Sequence, residues 1–130
     1  MPADPPIARS TEPAPAASAP GVFVLDGARM RTKPGLFNEF ARALGFPDYF
    51  GHNWDALDEC LCDLEWLGRP PRWDLHVTNA VELLVEEPAT ERRIFEDIVS
   101  GAAYVWSQPA RHGSSWERPA VPLQVTLHDV

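Results

Sequence analysis

The apolar residues of this chain recur with the spacings of strands and helices in turn. Val22–Leu25 is a short continuous apolar run, typical of a strand buried on both faces of a parallel sheet. Trp73–Asn79 alternates apolar and polar residues, which predicts a second strand. Leu123–Leu127 is the favoured third strand, and Ala103–Trp106 is the alternative.

Segments with helical spacing separate these strands. Pro34 suits the first turn of a helix that stops at Gly45, and Thr90 is a candidate cap for a helix that ends at Gly101. Alternating strands and helices of this size predict an α/β fold around a small parallel sheet. The predicted helices cover about 34–44, 54–67, 80–86 and 90–100.

The two ends of the chain differ in composition from its middle. Residues 1–20 are mainly Pro, Ala and Ser, which predicts a disordered tail followed by one folded domain at 21–130. Residues at about 104–122 are rich in Pro, Gly, Ser and charge, and predict an insertion within that domain. Two aromatic residues in this stretch, Trp106 and Trp116, are either packing anchors or an added contact surface.

The chain has no segment that predicts export or membrane insertion. No apolar core of a signal peptide follows a basic start, and no stretch approaches the ~20 apolar residues of a membrane helix. Cys60 and Cys62 point in different directions on one predicted helix, so they do not easily form a disulfide. Free thiols fit a reducing compartment, and we therefore expect a cytoplasmic protein without membrane association.

The most informative segment is the predicted helix that begins near Trp54. Asn53 stands at its N-cap, and Pro47 and Gly51 bound an exposed loop that precedes it. The loop carries the aromatic residues Tyr49 and Phe50. Helical spacing places apolar residues on one side of the helix and acidic residues on the rest of its surface. The apolar set is Trp54, Leu57, Leu61 and Leu64, and the acidic set is Asp55, Asp58, Glu59 and Asp63.

The acidic residues have an ordinary interpretation as a solvated helix surface. The helix dipole favours Asp55 in the first turn, but it does not account for Glu59 or Asp63 further along. Exposed aromatic residues beside them favour a contact surface instead. The net charge of −8 argues against direct nucleic-acid binding and suits a basic protein partner.

The sequence does not predict catalysis, a metal site or a cofactor. His52 has no second ligand four residues on, since that position is Ala56, and Cys60 and Cys62 lack the spacing of a zinc knuckle. Gly-rich phosphate loops and nucleophile elbows are absent from the sequence. We therefore expect a binding protein and not an enzyme.

The segment Phe46–Leu61 resembles the central motif of the barstar family, inhibitors of a secreted bacterial ribonuclease. The resemblance extends over about residues 21–105 and the last ten residues, and it implies three parallel strands packed by helices. It also implies a 1:1 complex in which acidic residues occupy the basic active site of the nuclease. The residues assigned to partner binding are Tyr49, Gly51, Asn53, Trp54, Asp55, Asp58, Glu59 and Asp97.

This chain also departs from the family pattern. His52 stands where the family has an acid, Asp58 where it has Trp, and Trp54 where it has Leu. We therefore expect a partner whose matching surface differs from that of the familiar ribonuclease. Two other functions stay open at this point: an immunity protein to a nuclease toxin of unrelated fold, and a binding module for a protein that is not a nuclease.

Overall fold

The computed structural model describes the backbone of residues 4–112 and 116–130, and the side chains of residues 4–109 and 118–130. The helices are α1 (Lys33–Leu44), α2 (Trp54–Asp63) and α3 (Ala89–Ser107). Short 3₁₀ helices occur at Gly27–Arg29, Glu65–Leu67 and Ala80–Glu82. The strands are β1 (Ile7–Ser10), β2 (Val22–Asp26), β3 (Trp73–Thr78), β4 (Ala110–His112), β5 (Trp116–Arg118) and β6 (Leu123–His128).

The main sheet is parallel and its strand order is β1-β6-β3-β2. In its centre, Leu75 of β3 lies beside Phe23 of β2 and Val125 of β6. The short strands β4 and β5 form a separate antiparallel pair. The prediction of an α/β fold with a parallel sheet is therefore confirmed.

Side-chain alternation along β3 makes the sheet two-faced. Trp73, Leu75 and Val77 are buried in the core together with residues of all three helices, whereas Asp74 and His76 point to the opposite face. The strand β2 lies at the sheet edge and only its Leu25 is fully buried. The expectation that Val22–Leu25 is buried on both faces was therefore wrong, because the helices cover one face only.

The sheet has four strands, and the prediction of three was wrong. The additional strand is β1, which lies within the predicted disordered tail at 1–20. The backbone of β1 pairs with β6, and the side chain of Ile7 packs against the core. Backbone pairing needs no apolar sequence pattern, so the composition of the tail does not reveal this strand.

The ends of α1 match the sequence prediction. The Thr32 hydroxyl accepts a hydrogen bond from the Gly35 amide at 3.2 Å, and Pro34 lies in the first turn. Gly45 ends the helix with φ +63°, a conformation that glycine adopts without strain.

The helix α3 differs from its predicted form at both ends. It begins at Ala89 after Pro88, without a side-chain cap, and it continues past Gly101 to Ser107. Because the helix continues past Gly101, Ala102 and Trp106 are buried, and this packing outweighs the ~1 kcal/mol by which a glycine destabilises a helix. Ala103–Trp106 is therefore helical, and β6 is the strand that the sequence favoured.

Trp106 is a packing anchor in this fold. It is 4% exposed, and its ring meets Trp73 edge to face with centroids 5.3 Å apart. Its indole Nε1 donates to the carbonyl oxygen of Leu61 at 2.8 Å, which ties α3 to α2. The side chain of Trp116 lies outside the described residues. Among the described residues, no helix is both long and apolar enough to cross a membrane.

A buried carboxylate joins α1 to the end of β2. Glu39 is 3% exposed, accepts a hydrogen bond from the Asp26 amide at 2.7 Å, and receives bonds of 2.7 and 2.8 Å from Arg42. Burial opposes ionisation, but the bonds from Arg42 and from the Asp26 amide outweigh it and hold the pKa of Glu39 below its usual value.

We predict that Glu39→Gln lowers the free energy of unfolding by about 1–3 kcal/mol at pH 7, because a charged hydrogen-bond acceptor is lost. A lowered pKa in the folded state stabilises the protein above the pKa of the unfolded carboxyl, about 4.3. The difference from wild type should therefore narrow as the pH falls below about 4. Urea denaturation at several pH values measures the free energy of unfolding of wild type and variant, and Glu65→Gln, a change at an exposed residue, is the control. If both variants lose the same free energy of unfolding, the prediction is contradicted.

Candidate partner-binding site

The loop before α2 turns one aromatic residue outward and one inward. Tyr49 is 73% exposed, as predicted. Phe50 is 7% exposed, and its ring lies 4.8 Å from that of Phe46 and 6.3 Å from that of Phe37. The prediction that Phe50 is exposed was therefore wrong, because a turn at Asp48 and Tyr49, closed by the hydrogen bond from the Phe50 amide to the Pro47 carbonyl oxygen, places Phe50 in an aromatic cluster over α1.

Asn53 fixes both the end of this loop and the start of α2. Its Oδ1 accepts a hydrogen bond from the Ala56 amide at 2.8 Å, which confirms the predicted N-cap. Its Nδ2 donates to the Gly51 carbonyl oxygen at 3.2 Å. Between them, His52 has φ +51°, and its ring lies against Phe50 with centroids 4.7 Å apart.

The apolar side of α2 is firmly buried. Leu57 and Leu61 are at most 1% exposed, and Leu64 is fully buried just beyond the helix. The α-helix ends at Asp63 because Leu64 adopts a left-handed conformation with φ +52°, so the predicted continuation to Leu67 is a 3₁₀ turn. This packing leaves the acidic residues on the outside.

We call Asp55, Asp58, Glu59 and Asp63 the acidic face of α2; all are exposed. Asp55 and Asp58 form no ion pair within the described side chains, and the same holds for Glu59. The helix contains no basic residue, and Asp55–Glu59 and Glu59–Asp63 are like-charge pairs one turn apart. The acidic face therefore carries charge that the described part of the chain does not neutralise by ion pairing.

A shallow groove joins the loop to the acidic face. It has a volume of about 130 Å³ and runs between the loop and α2. Tyr49 and Gly51 line one side, and Glu59 and Asp63 line the other. Sequence-predicted residues from two separate elements are thus brought together at one surface.

Trp54 lies beside this surface and has structural contacts. Its half-buried ring packs edge to face on Phe37 with centroids 5.0 Å apart. Its indole Nε1 donates to Glu91 Oε2 at 2.9 Å, and Lys33 Nζ lies 3.1 Å from Glu91 Oε1. The hydrogen bond from Trp54 and then that from Lys33 hold the pKa of Glu91 below its usual value.

One acid of α3 that contacts α2 is Glu91, which the sequence reasoning missed. Contacts to α2 come from Glu91 and Trp106. At about 100° per residue, Asp97 lies about 120° around the helix from Glu91 and about 180° from Trp106. Asp97 is exposed on the solvent side of α3, and its part in partner binding stays a prediction. The position of Glu91 in the first turn of α3 was its sequence signal.

Comparison with known proteins gives the family of this chain. The family model described as "Barstar (barnase inhibitor)" matches residues 21–128. The chain belongs to the barstar family. A search of the curated proteins finds no match.

Barstar family membership gives the chain a family-level role as an inhibitor of a barnase-type ribonuclease, acting through a protein contact. The match begins at residue 21, so β1 lies outside the part of the chain that the family model covers. The matched part contains the loop, the acidic face and the core beneath them.

The cysteines of the barstar-like domain lack the chemistry of nucleophiles. Burial, and then the nearby charge of Asp58, raise the pKa of Cys62 to about 11. Burial also raises the pKa of Cys60. Both thiols are therefore protonated at neutral pH. Among the described residues, no cluster of His, Cys, Asp and Glu has the arrangement of a metal site.

We predict that Asn53→Ala lowers the free energy of unfolding by about 0.5–2 kcal/mol, because the Ala56 amide loses its cap. Asn53→Ser serves as the matched control, since serine is also a good N-cap. Urea denaturation at neutral pH compares the two variants with wild type. An alanine variant as stable as the serine variant would show that the cap contributes nothing here.

Proposed function

We propose that this barstar-family chain inhibits a basic ribonuclease by inserting the acidic face and Tyr49 into its active site. The observation that carries the proposal is that Asp55, Asp58 and Glu59 are exposed and form no ion pair with a described side chain. A ribonuclease active site is cationic because it binds phosphate, so carboxylates are suitable occupants.

The roles within the proposed interface follow from geometry. Asp55 and Glu59 pair with the cationic residues that otherwise hold phosphate, and Asp58 adds charge at the same surface. Tyr49 packs in the cleft, since its ring is the one large exposed apolar group among the described residues that line the groove. The proposed interface also includes Gly51, Asn53 and Trp54, whose contacts hold the loop and the start of α2 in place.

The overall charge of the chain assists the approach of the two proteins. A net charge of −8 attracts a basic partner over a distance of about 10 Å at 0.1 M salt. The chain blocks its partner without turnover, forms a 1:1 complex, and acts in the cytoplasm, where Cys60 and Cys62 stay free.

We predict that Asp55→Ala and Glu59→Ala each weaken binding to the ribonuclease by about 2–5 kcal/mol, because each leaves a desolvated cation unpaired. Isothermal titration calorimetry with a ribonuclease captured by the wild-type chain measures the change. Glu12→Ala is the matched control, since Glu12 is an exposed acid outside the matched residues 21–128, and this change should leave the affinity unchanged.

The result that contradicts the proposal is a loss of less than tenfold, about 1.4 kcal/mol, for both Asp55→Ala and Glu59→Ala. A captured partner without nuclease activity would also contradict it, and would favour a binding module for another class of basic protein. If Asp97→Ala lost binding while Asp55→Ala and Glu59→Ala kept it, the interface would lie on α3 and not on the acidic face of α2.

We further predict that the association rate falls steeply between 50 and 500 mM NaCl, roughly tenfold or more, since screening removes the attraction between opposite charges. The dissociation rate should change much less. Surface plasmon resonance measures both rates. A salt-independent association rate would contradict electrostatic steering by the acidic face.

A further inference from the structure

Two histidines face each other on the side of the sheet that the helices leave uncovered. His76 of β3 and His128 at the end of β6 have ring centroids 5.1 Å apart, and His76 Nδ1 lies 2.9 Å from His128 Nε2. His128 is 4% exposed, so the contact is largely shielded from water. Neither histidine belongs to the acidic face or to the groove beside it.

The N-terminal segment of the described chain is tied to this pair. We call residues 4–20 the strap; it includes β1 and the connection that leads to β2 at the opposite edge of the sheet. His128 Nδ1 lies 2.7 Å from the carbonyl oxygen of Glu12, just after β1. The strap lies before residue 21, where the family match begins.

The contacts determine where the hydrogens lie. A carbonyl oxygen only accepts, so His128 Nδ1 carries a hydrogen and donates it to Glu12. In the neutral ring His128 Nε2 is then an acceptor, and His76 Nδ1 donates to it. If the pair takes up one additional proton, a single hydrogen can still lie between His76 Nδ1 and His128 Nε2. A second additional proton would place a hydrogen on each of these two nitrogens, which are 2.9 Å apart. The contact therefore tolerates one positive charge and not two.

The surroundings give little compensation for a second charge. On β3, Asp74 faces the same side and lies 2.8 Å from Arg72, which also approaches Asp4 of the strap at 4.0 Å. Burial and the proximity of His128 lower the pKa of His76, and Asp74 opposes them. Four of the remaining neighbours on this side are uncharged: Ser10 of β1, Gln124 and Thr126 of β6, and Val24 of β2. The Asp26 carboxylate of β2 accepts hydrogen bonds from the Ala28 amide and from Asn79. The carboxylates of Glu12 and Asp129 are exposed, so water screens their charge.

We propose that the His76–His128 pair is an acid-sensitive latch, which holds the strap on the sheet at neutral pH and releases it when both imidazoles become protonated. The hydrogen bond to Glu12 connects the pair to the strap, so separation of the rings disturbs the end of β1. Release uncovers the backbone of β6, which becomes an unpaired parallel edge. This proposal stands independently of the ribonuclease interface.

The direction of the pH effect follows from proton linkage. Burial and the proximity of His128 lower the pKa of His76 in the strapped form, below the ordinary imidazole value of about 6.5 that a released ring has. The released form therefore binds more protons, and lower pH favours it. The strap should be fully held above about pH 7 and should loosen as the pH falls below about 6.5.

Nuclear magnetic resonance of the full chain between pH 8 and pH 5 tests the latch. Imidazole nitrogen shifts report the tautomers, and amide signals report β1 and α2 separately. We expect a neutral His76–His128 pair at pH 8. At pH 5 we expect loss of the native Ile7–Ser10 signals while those of α2 and β3 persist.

His76→Gln is the decisive variant. Glutamine can donate to neutral His128 through its amide nitrogen and accept from protonated His128 through its oxygen, so the hydrogen bond survives without a second charge. This variant should keep β1 ordered at pH 5, whereas His52→Gln should behave as wild type. Three outcomes would overturn the latch: β1 held at pH 5 in wild type, equal release in His76→Gln, or simultaneous loss of the α2 signals.

Discussion

The acidic face depends on how firmly the apolar side of α2 is held in the core. Each like-charge pair one turn apart destabilises the helix by ~0.2–0.5 kcal/mol, whereas burial of one leucine side chain contributes ~1.5–3 kcal/mol. Leu57 and Leu61 therefore outweigh the repulsion between neighbouring carboxylates. The hydrogen bond from Trp106 Nε1 to the Leu61 carbonyl oxygen fixes the helix against α3. The core therefore holds the acidic face in one orientation, although the like charges on this face would destabilise an isolated helix.

The local features of this fold were readable from the sequence because they depend on residues close together in the chain. The caps at Asn53 and Gly45 are of this kind, and so is the division of α2 into a buried side and an acidic side. Features that depend on distant partners were not readable. The inward turn of Phe50 requires Phe37 and Phe46 as neighbours, and the strand β1 requires the backbone of β6.

The acids of α3 that lie near the site also depend on distant partners, and the sequence alone did not identify them. The resemblance to the family offered Asp97. The register of α3 is set by Phe95, Val99 and Trp106 in the core, and it leaves Asp97 on the exposed side of the helix. The same register brings Glu91 to Trp54 and Lys33. The core thus decides which acids lie near the site. The rings of His76 and His128, by contrast, lie on the face of the sheet opposite the helices, separated from the acidic face by the core.

The most direct test of the central claim is the form of inhibition. The activity of the captured ribonuclease should be measured at several RNA concentrations and several concentrations of this protein. Because the acidic face is proposed to occupy the phosphate-binding active site, inhibition should be competitive with RNA and complete at a 1:1 molar ratio when binding is tight. Inhibition that high RNA concentrations do not relieve, or binding that leaves the nuclease active, would contradict the account.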